Sequence, residues 1–287
     1  MPTVTRTNHT FVDAQGVTIH YYVWKAERPK AVLQLTHGLG DHALRYEQVA
    51  QDLVAAGYTV YADDHRGHGA TGMEQYGGDA SKLGRLGPGG LRATVEDVRQ
   101  FSRVIRDENP GLGLALLGHS WGSLMVQMIL NEHADEYDVA VLTGTAYRTL
   151  GDMNGGNLNK RHQHLGTTGN EWLSRDPAVA QAFSDDPLTF YAAAIQLFGL
   201  ADGLRLLGRP TKHIAKDIPL LIMIGSEDTL GGEASIEKLA SAYVNRSKLT
   251  EVKAIVYPEA RHEIFNETNR DEVIADLVQW LDEHLAR

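Results

Sequence analysis

The sequence predicts an α/β fold in which a mostly parallel sheet is covered by helices on both faces. Short apolar segments of strand length alternate with segments of helical periodicity. A long irregular stretch over 147–216 interrupts this alternation, which resumes with another fully apolar strand. Strands that are apolar at every position need both faces of their sheet covered, and βαβ units provide that cover.

Apolar and β-branched runs predict the strands, and apolar residues at helical spacing predict the helices. The predicted strands cover residues 17–24, 31–35, 58–62, 114–117, 139–143, 219–225 and 252–257. The predicted helices cover residues 43–56, 94–106, 124–130, 233–244 and 271–285. A turn at Gln15 and Gly16 places a hairpin at the N-terminus, and residues 73–90 are glycine-rich and irregular. We therefore expect a core formed by residues 1–146 and 217–287, with residues 147–216 inserted as a helical cap.

The composition limits the classes of protein to which the chain can belong. The 287 residues carry a formal net charge of -10, which argues against a nucleic-acid partner. There is no cysteine, so a disulfide framework, a thiolate zinc site and a cysteine nucleophile are excluded. The polar first ten residues do not resemble a signal peptide, and no apolar run reaches the ~18 residues of a membrane span. We expect a cytoplasmic protein; the sequence leaves transient contact with a membrane surface and the oligomeric state open.

A serine lies at the apex of a sharp turn between a predicted strand and a predicted helix. The turn has the sequence G-H-S-W-G over 118–122, with Ser120 at its centre. Such a turn lifts the serine hydroxyl above the sheet and directs the first amides of the helix at the group that the serine attacks. On its own the motif is weak, because ordinary glycine-rich helix starts also match it.

An acid and a histidine follow in the order that a serine nucleophile requires. The strand that ends at Gly225 is followed by Glu227 and Asp228, and the strand that ends at Tyr257 is followed by His262. In a parallel sheet these loops open at the same edge as Ser120. A serine needs a base, and the base needs a carboxylate to orient it, so the pattern predicts a catalytic triad. Position alone does not separate Glu227 from Asp228.

The pattern also predicts two backbone amides that would hold an oxyanion. One donor follows the serine directly, which is the amide of Trp121. The other comes from an earlier glycine-rich loop, H-G-L-G over 37–40, and we expect it to be the amide of Leu39. No step of this chemistry calls for a metal or an organic cofactor.

Four motifs together resemble the monoacylglycerol lipase and lysophospholipase branch of the α/β-hydrolases, the serine aminopeptidase S33 group. They are H-G-L-G-D-H over 37–42, D-H-R-G-H-G over 64–69, G-H-S-W-G over 118–122 and R-H-E over 261–263. The resemblance covers about residue 32 to the C-terminus, and the cap segments over 170–176 and 186–188 resemble bacterial members. It implies that Ser120, Asp228 and His262 form the triad, with Asp228 preferred over Glu227 as the acid. Trp121 departs from the methionine of many members, and we expect its ring to narrow one wall of the pocket.

The second half of the cap is apolar along two stripes. They consist of Tyr191, Ile195 and Phe198, and of Leu197, Leu200, Leu204 and Leu207. A helix that is apolar on more than one face either packs against protein on both faces or turns one of them toward a ligand. The stripes could pack on the core, or one of them could line a channel for an acyl chain. If one lines a channel, Phe198 and Leu204 are the candidate substrate contacts.

The resemblance implies hydrolysis of a carboxylic mono-ester with a hydrophobic chain, of monoacylglycerol or lysophospholipid type, through an acyl-enzyme. Three alternatives stay open. One is an esterase for a small non-lipid or xenobiotic ester, another is amide hydrolysis, and the last is a non-catalytic ligand-binding member of the fold. The intact set of Ser120, Asp228 and His262 argues against the last.

Overall fold

The computed structural model describes residues 4–285 of the chain, and one mixed sheet of eight strands runs through them. The strands are β1 (Arg6–Val12), β2 (Thr18–Trp24), β3 (Ala31–Thr36), β4 (Tyr58–Asp63), β5 (Leu114–His119), β6 (Val139–Thr143), β7 (Leu220–Gly225) and β8 (Val252–Tyr257). Their order across the sheet is β1-β2-β4-β3-β5-β6-β7-β8. β2 is antiparallel to both of its neighbours, and all neighbouring pairs from β4 to β8 are parallel. The prediction of a mostly parallel sheet is confirmed.

Helices cover both faces of this sheet. They are α1 (Glu47–Ala55), α2 (Gly69–Gln75), α3 (Gly90–Glu108), α4 (Trp121–His133), α5 (Pro177–Asp185), α6 (Ala194–Arg205), α7 (Glu233–Asn245) and α8 (Arg270–Leu285). Val98 of α3, Met125 of α4 and Leu239 of α7 belong to the apolar cluster on one face. Leu53 of α1 and Leu277 of α8 belong to the cluster on the other. β3 to β7 are buried at every residue, which explains their uninterrupted apolar sequences.

The sequence predicts a hairpin at the N-terminus but does not identify its first strand, β1. β1 forms the edge of the sheet, and most of its residues are exposed. An exposed edge strand carries polar residues on both faces, so neither an apolar run nor a clean alternation marks it. Helix α2 also lies partly in the glycine-rich stretch that was expected to be irregular.

Residues 147–216, the cap segment, lie between β6 and β7 and contain α5 and α6. Helix α6 is broken at Gly199, which has a φ of 79°. The break interrupts the helical period, so residues on either side of Gly199 do not continue one stripe. Ile195, Leu200 and Leu204 are each more than half exposed, so packing on the core does not account for these three side chains. The boundaries of the cap stay a prediction.

No helix between residues 4 and 285 combines the length and the apolar content that crossing a membrane requires. The parallel strands instead place their carboxyl ends along one edge, where Ser120, Asp228 and His262 follow β5, β7 and β8.

A close backbone contact fixes the loop after β8 against the end of β7. A Cβ atom at Gly225 would lie 2.0 Å from the carbonyl oxygen of Ala260 and 2.4 Å from that of Arg261. Backbone atoms cannot move aside as a flexible side chain can, so only glycine fits at the end of β7. This contact fixes the position, relative to the sheet, of His262, which directly follows Arg261.

We expect Gly225→Ala to lower the free energy of unfolding by about 1–3 kcal/mol, the usual cost of forcing an added methyl group into a packed site. Chemical denaturation of both proteins measures the difference. Gly151→Ala is the matched control, because a Cβ there would meet no atom within 4 Å. Equal free energies of unfolding for the two variants would show that the loop after β8 can move away from position 225 without a measurable loss of stability.

Candidate active site

Ser120 is held in a strained backbone conformation between β5 and α4. Its φ is 52° and its ψ is -123°, values that a residue with a side chain rarely adopts. The Ser120 N–H donates to the carbonyl of Thr143 at 2.9 Å, and the Ser120 carbonyl accepts from Leu124 N at 3.1 Å. The hydroxyl of Ser123 donates to the same carbonyl at 2.5 Å. These bonds keep the turn closed and leave the half-buried serine side chain at its apex.

Two glycines allow the turn at Ser120 to pack directly on the neighbouring chain. A Cβ at Gly122 would lie 2.2 Å from the carbonyl oxygen of Thr36, at the end of β3. A Cβ at Gly118 would lie 2.7 Å from the carbonyl carbon of Gly122. Both positions therefore exclude any larger residue, and the G-x-S-x-G spacing follows from this contact.

His262 and Asp228 are paired and buried beside this turn. The His262 Nδ1 atom lies 3.0 Å from both carboxylate oxygens of Asp228, and the two side chains are 1% and 0% exposed. A ring nitrogen that faces a carboxylate carries the proton, so Nε2 of the neutral ring keeps its lone pair. No hydrogen-bond partner for Nε2 is found among residues 4–285. The ring of Trp172 lies 4.5 Å from the His262 ring, between centroids.

Glu227, the other candidate acid, points elsewhere. Its carboxylate lies 2.5 Å from the guanidinium of Arg161, and its side chain is 33% exposed. Asp228 is held in place by the backbone N–H of Leu230, which donates to Oδ1 at 2.8 Å. The structure therefore brings Asp228, and not Glu227, to His262.

A loop over residues 37–42, the Gly38 loop, follows β3 and lies against the turn at Ser120. A Cβ at Gly38 would lie 3.2 Å from the Cβ of Ser120. His37 stiffens this loop: its Nε2 accepts from the His65 backbone N–H at 3.1 Å, so its Nδ1 donates to the Gly38 carbonyl at 2.7 Å. Burial lowers the pKa of His37 well below its ordinary value, and the neighbouring histidines lower it further. A neutral ring is what this pair of hydrogen bonds requires.

The residues expected to donate amides both lie at the site. Leu39 belongs to the Gly38 loop, and Trp121 is the first residue of α4. The N–H groups of a first helical turn have no partner within the helix, so they are free to bind an anion. The indole of Trp121 packs on the rings of His68 and Phe198, at 5.2 and 5.3 Å between centroids.

A cavity of 370 Å³ opens at Ser120, between the Gly38 loop and the cap segment. One part of its wall is apolar, with Leu39, Trp121, Leu124, Met153 and Phe190. Another part carries side-chain amides, from Asn154, Asn157, Asn159, Asn170 and Gln196. Among residues 4–285, no Asp, Glu, Lys, Arg or His lines this cavity.

The two candidate substrate contacts of the cap, Phe198 and Leu204, are not among the residues that line this cavity, and their contact with substrate stays a prediction. Phe198 lies behind the indole of Trp121, and Leu204 is 51% exposed. Phe198 packs against the apolar core cluster, and Leu204 lies beyond the break at Gly199, where the helical period assumed for its stripe is interrupted. Sequence reasoning missed the lining residues around Asn154 and Asn170. Four asparagines within 17 residues were the available signal.

Comparisons with known proteins identify the family to which the chain belongs. Residues 27–269 match the model of the family described as serine aminopeptidase, S33. A monoacylglycerol lipase of Mycolicibacterium smegmatis is 33% identical, over 99% of this chain and 100% of the relative. The human monoglyceride lipase is 27% identical, over 90% of this chain and 88% of its own.

Solved structures share the fold. A thermostable carboxyl esterase from Bacillus coagulans, in complex with glycerol, superposes with a TM-score of 0.85 at 23% identity, over 98% of this chain and 99% of its own. A soluble variant of the monoglyceride lipase from Saccharomyces cerevisiae superposes with a TM-score of 0.79 at 20% identity, over 100% and 97%. The expected α/β-hydrolase fold is confirmed.

We expect Asp228→Asn to lower the rate of p-nitrophenyl ester hydrolysis by on the order of 10⁴, because an amide would favour the wrong tautomer of His262. Glu227→Gln removes a carboxylate one residue away and is the matched control. We expect it to change the rate less than twofold. Comparable losses in the two variants, measured as kcat in one assay, would contradict the assignment of the acid to Asp228.

Proposed function

This chain belongs to the serine aminopeptidase S33 family of hydrolases, and we propose that it hydrolyses monoacylglycerols, which are lipid mono-esters with an uncharged head group. Hydrolysis of a lipid mono-ester is the activity for which its bacterial and human relatives are named. The chain is a serine ester hydrolase of this kind. The observation that supports the choice of head group is the absence of charged side chains around the cavity, within residues 4–285.

In the proposed mechanism Ser120 is the nucleophile. His262 Nε2 takes the hydroxyl proton while Oγ forms a bond to the ester carbonyl carbon, and Asp228 stabilises the resulting imidazolium. The amides of Leu39 and Trp121 bind the oxyanion of the tetrahedral intermediate. The C–O bond to glycerol then breaks, and glycerol leaves with the proton from His262. Water, deprotonated by His262, repeats the sequence on the acyl-enzyme and releases the fatty acid.

The polar part of the cavity wall suits a head group that carries hydroxyls. Side-chain amides both donate and accept hydrogen bonds, which matches the hydroxyl groups of glycerol. Those of Asn154 and Asn159 are bonded at both ends within the protein, so the amides that face a ligand are those of Asn157, Asn170 and Gln196. A phosphate bound at this wall would lose bound water molecules and would find no cation with which to form an ion pair. Burying an unpaired charge costs free energy. Lysophospholipids are therefore the weaker candidates, because no cation among the described lining residues pairs with their phosphate.

The proposal is tested with two substrates that share one acyl chain. We expect kcat/KM for a monoacylglycerol to exceed that for the matching lysophosphatidylcholine by about 100-fold or more, which corresponds to about 2.7 kcal/mol. Ser120→Ala should lower turnover of the monoacylglycerol by about 10⁶ while the circular dichroism spectrum stays unchanged.

Equal rates on the two lipids would refute the choice of head group. Hydrolysis of p-nitrophenyl acetate without hydrolysis of either lipid would point instead to a small non-lipid ester. Retention of more than about a tenth of the turnover in Ser120→Ala would remove Ser120 from the mechanism.

We expect Phe190→Ala to lower the preference for long-chain over acetyl esters about tenfold, since its half-buried ring lines the cavity. A tenfold change is about 1.4 kcal/mol, the burial of about two methylene groups. Leu204→Ala, in the same segment but exposed and outside the cavity lining, is the control. The measurement is kcat/KM across p-nitrophenyl esters of increasing length. An equal loss on acetate would instead indicate damage to the fold.

A further inference from the structure

We propose that Arg45 is a positioning residue that holds the Gly38 loop and the loop carrying His262 at a fixed separation. The inference rests on the proposed function, because the two loops supply one oxyanion donor and the general base. It concerns residues that touch neither the cavity nor the reacting atoms.

The two loops start from strands that are far apart in the sheet. The Gly38 loop follows β3, and His262 follows β8, with β5, β6 and β7 between them. Neighbouring strands lie ~4.8 Å apart, so four steps across the sheet separate the strands by roughly 19 Å. The sheet alone therefore does not set the distance between the amide of Leu39 and the ring of His262. Contacts above the sheet have to set it.

The guanidinium of Arg45 makes such a contact. Its Nη1 and Nη2 atoms donate to the two carboxylate oxygens of Glu263, each at 2.8 Å. Nη1 also donates to Oδ1 of Asp41 at 3.0 Å. Glu263 is the residue directly after His262, and Asp41 is two residues after Leu39 in the Gly38 loop. One planar cation thus joins the two loops through their own side chains.

Both carboxylates are held in place by further bonds. The hydroxyl of Tyr46 donates to Oδ2 of Asp41 at 2.8 Å, and the side-chain amide of Asn266 donates to Oε2 of Glu263 at 2.8 Å. The side chains of Arg45, Asp41 and Glu263 are 11%, 5% and 5% exposed. A network that is shielded from water, and in which every carboxylate oxygen accepts a hydrogen bond, has little freedom to change its geometry.

The charges keep this network assembled at neutral pH. Burial acts to raise the pKa of Glu263, but the charge and hydrogen bonds of Arg45, with a smaller contribution from His119, together lower it. Burial likewise acts to raise the pKa of Asp41, and the Arg45 cation, His42 and the Tyr46 hydroxyl together lower it. Both groups are therefore ionised, and each gives Arg45 a charge-assisted hydrogen bond.

Lysine cannot replace arginine in this arrangement. A guanidinium presents its N–H groups in a rigid fork that matches both oxygens of one carboxylate, whereas an ammonium is a compact charge on a flexible stem. Arg45→Lys therefore keeps the charge and removes the fixed geometry. Displacement of a catalytic group by about 1 Å can cost 10²-fold in rate, even when the change lies away from the chemistry.

The test compares Arg45→Lys with Arg99→Lys. Arg99 also binds a carboxylate through two nitrogens, with Nε 3.0 Å from one oxygen of Glu136 and Nη2 bonded to the other, but it lies on α3 among residues outside the site. Three quantities are measured: kcat and KM on a monoacylglycerol, the melting temperature, and the rate of p-nitrophenol release from a p-nitrophenyl alkylphosphonate. The phosphonate reports the reactivity of Ser120 whatever the natural ester is.

We expect Arg45→Lys to lower kcat and the phosphonate rate at least tenfold, with KM within twofold of the wild type. Arg99→Lys should leave both rates within twofold. Equal rates in the two variants would overturn the inference, as would a rise in KM with kcat unchanged. If Arg45→Lys does not fold, Glu263→Asp, with Glu136→Asp as its control, gives the same comparison by shortening the acid.

The same experiment separates this inference from the proposed function. A wild-type protein that reacts with the phosphonate but leaves monoacylglycerol intact would refute the choice of substrate, and the phosphonate rates of the variants would still decide the role of Arg45. A wild-type protein that does not react with the phosphonate would refute both, because there would be no reactive serine to position.

Discussion

The backbone contact between the turn at Ser120 and the end of β3 is the constraint on which the site depends. Gly122 lies so close to the Thr36 carbonyl that no side chain fits between them. This contact holds the serine at a positive φ, and it places the following loop, with Leu39, beside the serine. The strain at Ser120 persists because the turn is also tied to β6 through the Thr143 carbonyl.

Burial lowers the pKa of several histidines around the site, and their rings are therefore uncharged at neutral pH. Burial lowers the pKa of His68 to about 3 and that of His119, which also lies beside His262, to about 4. At neutral pH these rings are uncharged, and they serve as hydrogen-bonding and packing groups. They therefore add no positive charge near His262, whose Nδ1 faces the Asp228 carboxylate. Nδ1 of His68 donates to the Arg66 carbonyl and Nδ1 of His119 lies 3.1 Å from the Thr143 hydroxyl oxygen, whereas Nδ1 of His262 faces a carboxylate.

Much of the fold could be predicted from the sequence, because β3 to β7 are buried on both faces and carry apolar residues throughout. Edge strand β1 could not, since its exposed residues show no such run. The chain order of Ser120, Asp228 and His262 was readable for the same reason: each follows a recognisable strand. The bond between Arg45 and Glu263 spans 218 residues, and no local pattern indicates it. The break at Gly199 interrupts the stripe of Leu197, Leu200, Leu204 and Leu207, and no local sequence pattern indicates it. Tyr191 of the other stripe lines the cavity.

The cap segment and the Gly38 loop share a backbone hydrogen bond, from Phe190 N to the Gly40 carbonyl, at 3.1 Å. Gly40 has a φ of 76°, and a Cβ there would lie 2.3 Å from the carbonyl oxygen of Phe190. The bond runs through main-chain atoms, so it requires one path of the chain and an N–H at position 190, which only proline lacks. Substitutions that keep this main-chain path therefore keep the bond, whereas an insertion or deletion near Phe190 would break it. A chimaera that grafts the segment from a relative has to keep that path, or it will disturb the loop beneath.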